Sequence, residues 1–209
     1  MARFLVVFDV DSTLIEDEAI DLLAERAGTK DLVSQITERA MRGEIDFASS
    51  LIERVATLKG LPQSVLAETS ELLRPTAGAH ELIAAIQERC GVAAAVSGGF
   101  TQLLAPLQTK LNLDRVLANT LEVQDGKLTG KVSGAIVDRV AKSDFLKKLS
   151  EELAVERHLT IAVGDGANDI DMIQAAGLGV AFCGKPKLRE SADLSLDVRD
   201  LRQLIGLLP

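Results

Sequence analysis

Cysteine and histidine are scarce in this 209-residue chain: Cys90, Cys183, His80 and His158 are all there is. Thiols so far apart build neither a disulfide framework nor a zinc site. No pair of these residues has metal-ligand spacing, so zinc, haem and iron–sulfur chemistry are not expected. Basic residues are also in the minority, 23 against 31 acidic ones, for a formal net charge of −8. Tracking a nucleic-acid backbone needs clustered cations, so no nucleic-acid partner is expected. An anionic ligand should instead be small and held locally. Long apolar runs are missing too. Phe4–Phe8 is apolar, but Asp9 and Asp11 cut it short of a secretory signal, and nothing is long enough to span a bilayer. No membrane partner is expected, and a reducing cytoplasm is the expected location. There are no internal repeats or low-complexity segments.

What is present is an alternation. Short apolar runs at Phe4–Phe8, Val92–Val96, Leu159–Val163 and Leu178–Phe182 read as strands, with Val116–Ala118 as a weaker fifth. Unbroken apolar runs suit strands covered on both faces, as in a parallel sheet. Helical patterns lie between them, at Ala79–Arg89, Thr101–Leu111, Lys142–Ala154 and Asn168–Ala176. The expected core is a doubly wound, mainly parallel α/β sheet of Rossmann-like form. Two stretches interrupt it. Residues 15–75 hold helical patterns at Ala19–Ala27, Leu32–Met41, Phe47–Leu58 and Gln63–Leu73, and no convincing strand. They are expected to form a helical cap domain inserted after strand one, with 1–14 and 76–209 as the α/β core. An insertion rooted there is placed to act as a lid. In the second stretch, 120–136, Asp125-Gly126 signals a small β-hairpin insertion.

Polar clusters fall at the same end of three strands: Asp9-Val10-Asp11-Ser12-Thr13, Ser97-Gly98-Gly99 and Gly164-Asp165-Gly166-Ala167-Asn168-Asp169. Parallel strands bring those ends together. In an extended chain Asp9 and Asp11 project to one face. Close carboxylates repel unless a cation or a shared proton stabilises them, and Asp165 brings a third. Hard oxygen ligands of this kind suit Mg²⁺ completed by water and substrate phosphate. Taken singly, Asp11 reads equally well as a turn cap and Asp165 as a helix cap. Ser97-Gly98-Gly99 offers a hydroxyl and backbone N–H groups to an anion, although the tripeptide is common in turns. Lys142 precedes Ser143, a plausible N-cap, and is a cation at the positive end of a helix. A bound anion would reverse that penalty; alone, it reads as a solvated lysine. Arg54 projects roughly 20° from Phe47 on the stripe that Leu51, Val55 and Leu58 share. It either snorkels or grips a carboxylate from above the site. Glu18 opens a helix, where interaction with the helix dipole is sufficient reason for it.

Asp9-Val10-Asp11-Ser12-Thr13 resembles the D-x-D-x-T signature of the haloacid dehalogenase-like hydrolases. Ser97-Gly98-Gly99, Lys142 and the Gly164–Asp169 segment resemble the remaining three motifs, in the correct order. Within that superfamily the chain is similar, over essentially its whole length, to the branch acting on O-phospho-L-serine. Val96-Ser97-Gly98-Gly99-Phe100, Leu128-Thr129-Gly130 and Ala181-Phe182-Cys183 carry that finer likeness. The resemblance implies a Mg²⁺-dependent phosphomonoesterase releasing L-serine and phosphate through an aspartyl-phosphate, the final step of serine biosynthesis. It implies that Asp9 attacks phosphorus and that Mg²⁺ is held by Asp9, the Asp11 backbone carbonyl and Asp165, with Asp169 supporting the metal shell. Ser97, the Gly98 amide and Lys142 would bind the phosphate. Asp11 would protonate the leaving oxygen and then activate water, and Asn168 would hold phosphate or water. Glu18 would take the substrate ammonium and Arg54 its carboxylate. Met41 and Phe47 would close over the substrate, though both are equally ordinary packing residues. The N-terminal regulatory domain of longer relatives is expected to be missing, and a monomer or homodimer is expected. Two other readings stay open. One is a phosphotransferase passing the same phosphoryl group to another hydroxyl, such as that of homoserine. The other is a receiver-like phosphoacceptor module, which needs no leaving-group acid two residues after its aspartate.

Overall fold

Strand β1 (Leu5–Phe8) is buried along its whole length. In the computed structural model, which describes residues 2–209 apart from the side chain of Met41, β1 lies at the centre of a seven-stranded sheet. Strands β2 (Val92–Phe100) and β5 (Thr160–Gly164) flank it, both parallel to it. Beyond β5 come β6 (Leu178–Phe182) and β7 (Leu194–Leu196), also parallel. Beyond β2 come β3 (Arg115–Gln124) and, antiparallel at the edge, β4 (Lys127–Ser133). The sheet is therefore mainly parallel and doubly wound.

Its two faces explain the unbroken apolar runs. Phe4, Val6 and Phe8 pack on one face with Leu82 and Ile86 of α5 (Ala79–Glu88) and Leu103 and Leu107 of α6 (Thr101–Leu111). Leu5 and Val7 pack on the other with Leu146 and Leu149 of α7 (Arg139–Glu152) and Met172 and Ile173 of α8 (Ile170–Ala175). Strand alternation sends neighbours to opposite faces, and both faces are covered. From β1 the chain winds first to β2 on one side and later to β5 on the other. The carboxyl end of β1 is thus the switch point, where ligands of such sheets bind.

Between β1 and α5 lie four helices, α1 (Ala19–Ala27), α2 (Lys30–Met41), α3 (Phe47–Ala56) and α4 (Ser64–Leu72). Gly28, at φ 69°, stops α1 in the left-handed conformation that glycine adopts without strain. Asp46 caps α3, its carboxylate accepting from the Ser49 N–H at 2.8 Å. The two chain crossings into this unit are stitched together. Ile15 and Pro75 form an antiparallel bridge, the Glu16 N–H donates to Arg74 O, and the Thr76 N–H donates to Leu14 O. Arg74 also grips the Asp17 carboxylate through its own N–H and its guanidinium.

Four features depart from the sequence expectations. Val116–Ala118 is part of a ten-residue strand that runs on into the hairpin, so residues 120–136 extend the main sheet instead of interrupting it. The turn itself, with Asp125 at φ 51° and Gly126 at φ 72°, has the positive dihedrals of the expected two-residue hairpin. Strand β2 runs through Ser97-Gly98-Gly99 to Phe100, where a strand end was expected, and its register against β3 shifts between Ser97 and Phe100. Helix α7 starts three residues before Lys142. Asp138, not Ser143, caps it, accepting from the Ala141 N–H at 2.9 Å. Strand β7 and the 3-10 helix at Leu201–Leu207 were not foreseen, being too short to show a period. The hairpin tip meets the helical unit, with Gly60 N–H donating to Leu128 O, Leu128 N–H to Leu61 O and Gln63 N–H to Gly126 O. Among the described residues, no helix is long and apolar enough to cross a membrane.

Candidate active site

Asp9 follows β1 directly and is almost fully buried. The chain then makes one wide turn over Val10–Leu14, closed by the Ile15 N–H on Val10 O. Ser12 occupies its left-handed position at φ 56°. Such wide turns recur at functional sites. This one sends the Asp9 carboxylate to Lys142 and the Asp11 carboxylate to the Ala19 N–H although the strand has already ended. The Asp9 carboxylate accepts from Lys142 Nζ at 2.5 Å, and the same ammonium donates to Asp169 Oδ1 at 2.7 Å. Lys142 sits in the first turn of α7 with a side chain only 1 % exposed, so its charge is matched by these carboxylates and not by water. Burial alone would lower the lysine's pKa; Asp169 and Asp9 overcome it, and the net shift is upward. Burial and the neighbouring Asp169 push the Asp9 carboxyl well above the ordinary range, while Lys142 pulls it back.

Asp165 and Asp169 arrive on the turn after β5. Asp169 Oδ2 accepts from the Asp165 and Gly166 N–H groups at 3.2 and 3.1 Å, so it is the cap of this turn, and Asp165 is not. That close return depends on Gly164: a Cβ there would lie 2.5 Å from Asp169 Oδ2. Ligand atoms of Asp9, Asp165 and Asp169 all fall within 4.8 Å of one another. Three buried carboxylates so close suit a hard divalent cation. Both Asp169 oxygens are already engaged, which leaves Asp9 and Asp165 as the better direct ligands and gives Asp169 a supporting place. The side chain of Asp11 is not in this cluster. It accepts from the Ala19 N–H at 3.2 Å, capping α1, and lies beside Gly99.

Asp11 has the clearest pH signature. Burial beneath the helices, and secondarily the charge of Glu18, raise its pKa from 3.8 to about 7, with the Ala19 N–H opposing. Between those values the folded state binds more protons than the unfolded one, so this group's contribution to stability falls as pH rises through the window. Asp11→Asn, which keeps the acceptor for Ala19, should therefore stabilise the protein in EDTA at pH 8, on the order of a few kcal/mol. At pH 4 the gain should vanish. Urea melts at both pH values check this, and an equal gain at each would count against it.

The other expected residues gather above and beside this cluster. Ser97 is buried, and its Oγ accepts from the Gly99 N–H at 2.8 Å. Phe47, at the start of α3, rests on Gly98, where an added Cβ would meet the ring at 2.7 Å. Asn168 is half-buried, folded over Gly166. Arg54 is half-buried in the same helix as Phe47. Its Nε donates to Ser50 O at 3.3 Å, and among the described residues no carboxylate lies within ion-pair distance. Burial lowers its pKa, while the charges of Glu18, Asp21 and Asp11 pull the other way. Glu18 is exposed, and its carboxylate accepts from Ser12 Oγ at 2.7 Å. It is the residue before α1 but makes no side-chain cap bond there. Met41 ends α2, and its side chain lies outside the described residues.

Sequence reasoning missed Asn119. It is buried in β3, with Nδ2 donating to Gly98 O at 2.9 Å and Oδ1 accepting from the Val137 N–H at 2.8 Å. The Gly98–Gly99 peptide is thus held at both ends, its carbonyl by Asn119 and its N–H by Ser97. The expected strand stopped at Ala118, one residue short of it, so Asn119 had no expected place in the sheet.

A family model for haloacid dehalogenase-like hydrolase matches residues 6–174. The chain belongs to that family. Within it, the chain is 53 % identical over 195 residues to phosphoserine phosphatase SerB2 of Mycobacterium tuberculosis, and 44 % identical over 201 residues to the phosphoserine phosphatase of Methanocaldococcus jannaschii. These alignments cover 92 % and 96 % of the chain, but 47 % of the first protein and 95 % of the second. The chain thus spans about half the length of the mycobacterial protein and nearly all of the archaeal one. Among solved structures, a phospho-aspartyl intermediate analogue of phosphoserine phosphatase superposes with a TM-score of 0.94 at 42 % identity, with both chains fully covered. A substrate-bound phosphoserine phosphatase complex matches with the same score, identity and coverage.

Proposed function

We propose that the chain is a Mg²⁺-dependent phosphatase that hydrolyses O-phospho-L-serine to L-serine and phosphate through an aspartyl-phosphate. The observation that carries the reading is Asp9: a buried carboxylate at the sheet's switch point, bonded to Lys142, with a second acid two residues on. Asp9 attacks phosphorus, and the P–O bond to the serine oxygen breaks. Lys142, the Ser97 hydroxyl and the Gly98 N–H meet the charge on the phosphoryl oxygens. Asp11, with a pKa near neutrality, donates its proton to the departing serine oxygen. It then takes a proton from the water that attacks the aspartyl-phosphate, which frees phosphate and restores Asp9. Asn168 holds that water or the phosphate. Mg²⁺ at Asp9, the Asp11 carbonyl and Asp165, with Asp169 behind, would neutralise phosphate charge and favour ionised Asp9. Residues 15–75 form the cap of this proposal, and 1–14 with 76–209 the catalytic core. Met41 and Phe47 are its apolar closure.

The phosphoserine assignment rests on Arg54 and Glu18. A half-buried guanidinium with no carboxylate partner among the described residues is a receptor for one from outside, and Glu18 supplies the opposite charge for an ammonium. Relatives named phosphoserine phosphatase support the same choice. Turnover of L-phosphoserine against a panel of phosphomonoesters, with Mg²⁺ and with EDTA, tests it. No preference for phosphoserine would remove the substrate and leave the chemistry standing. Arg54→Ala should lower kcat/KM for phosphoserine about tenfold to a hundredfold, the worth of a charged hydrogen bond. Phosphoethanolamine, which lacks the carboxylate, should be little affected. Equal losses on both would make Arg54 structural.

A further inference from the structure

Lys185 has no role in the chemistry above, yet its ammonium lies 3.4 Å from Asp165 Oδ2. The loop between β6 and α9 (Pro186–Arg189) delivers it. Its backbone N–H donates to Asp165 O at 2.8 Å, and Arg189 Nε donates to Gly184 O just before it. Pro186 at the first position of α9 fixes the next φ. The stem of Lys185 is therefore anchored against the Asp165 turn, while its head is not. Its side chain is 52 % exposed, against 1 % for Lys142. The two lysines serve the three clustered carboxylates differently. Lys142 is buried and bonded to Asp9 and Asp169, with no water to turn to. Lys185 reaches the remaining carboxylate from the solvent side, at a distance longer than a good charged hydrogen bond.

We infer that Lys185 is an exchangeable counter-ion for Asp165. It neutralises that carboxylate while no divalent cation is bound and competes with Mg²⁺ for it, so that it weakens and tunes metal affinity. The inference rests on the Mg²⁺ reading of the Asp9–Asp165–Asp169 cluster. A half-exposed pair is weak and open to salt screening, so the effect should be modest and should depend on ionic strength.

The test compares wild type, Lys185→Met and Lys185→Arg as full chains without substrate, with Mg²⁺ titrated by calorimetry at low salt. The Met variant should bind Mg²⁺ about threefold to fivefold more tightly, the equivalent of one exposed ion pair. The Arg variant should match wild type, and the Met–wild-type gap should close at high salt. In EDTA the Met variant should melt at a lower temperature than wild type and gain more on adding Mg²⁺. Unchanged or weaker Mg²⁺ binding by the Met variant overturns the inference; weaker binding would make Lys185 a support for Asp165. A wild-type protein that binds no Mg²⁺ sinks the metal reading itself, a distinguishable failure.

Discussion

Asp9→Asn is expected to lower phosphoserine turnover by about 10⁴-fold or more, the scale on which loss of a nucleophile is felt. The same variant should lose acid-stable labelling of the protein by substrate phosphate. The two readouts belong together, because a residue that only held metal or substrate could cut turnover without being the site of the label. Asparagine is close in shape and can still accept from Lys142 Nζ, so the loss should not come from unfolding. It also removes a carboxyl that burial and Asp169 strain electrostatically, so the melting temperature in EDTA should hold or rise. Near-wild-type turnover would rule out Asp9 as the attacking group. Lost turnover with retained labelling would move the phosphate to another residue.

Lys142→Met should have the largest effect on stability. The substitution fills similar space, but leaves the Asp9 and Asp169 carboxylates buried beside each other without their shared cation. Breaking a buried pair by removing one partner costs about 3–5 kcal/mol. In EDTA near neutral pH the variant should lose stability on that scale by urea melts. The deficit should shrink as pH falls and the Asp9 carboxyl, already pushed up by burial, takes up a proton, and also when Mg²⁺ is added. Turnover should fall about a hundredfold to a thousandfold even with saturating Mg²⁺, as expected when a fixed charge is withdrawn from a phosphoryl site. A loss of stability under about 1 kcal/mol would mean that the pair is solvated, as a surface pair is.

Much of this architecture was legible because the physics behind it is local. Phe4–Phe8 announces a strand covered on both sides, and acids placed at successive strand ends converge by topology alone. The four helices of 15–75 show their stripes plainly. What stayed hidden depends on long-range partners. Asn119 gains its meaning only when β3 lies beside the bulged end of β2, 21 residues away in sequence from Gly98. Lys185 reads as an ordinary solvated lysine until its loop folds back onto Asp165. Ser143 was a reasonable cap by composition, but Asp138 lies five residues earlier and bonds the helix instead. The wide turn at Val10–Leu14 leaves no periodic trace, because one turn is shorter than any period.

The backbone bonds between the hairpin and residues 60–63 have a mechanical meaning. Together with the stitched crossings at Ile15 and Pro75, they give the helical unit two moorings on the core. Among the described residues, the turn between α2 and α3 makes backbone bonds only within residues 38–50, and its ion pairs run among Glu38, Arg39, Arg42, Glu44 and Glu53. A rigid body tied at two separated points resists rotation about every axis except the line that joins them. The Arg42–Asp46 turn leads directly into α3, which carries Phe47 and Arg54. Helix α3 thus runs from the contact of Phe47 with Gly98 at its start to the hairpin mooring just past its end.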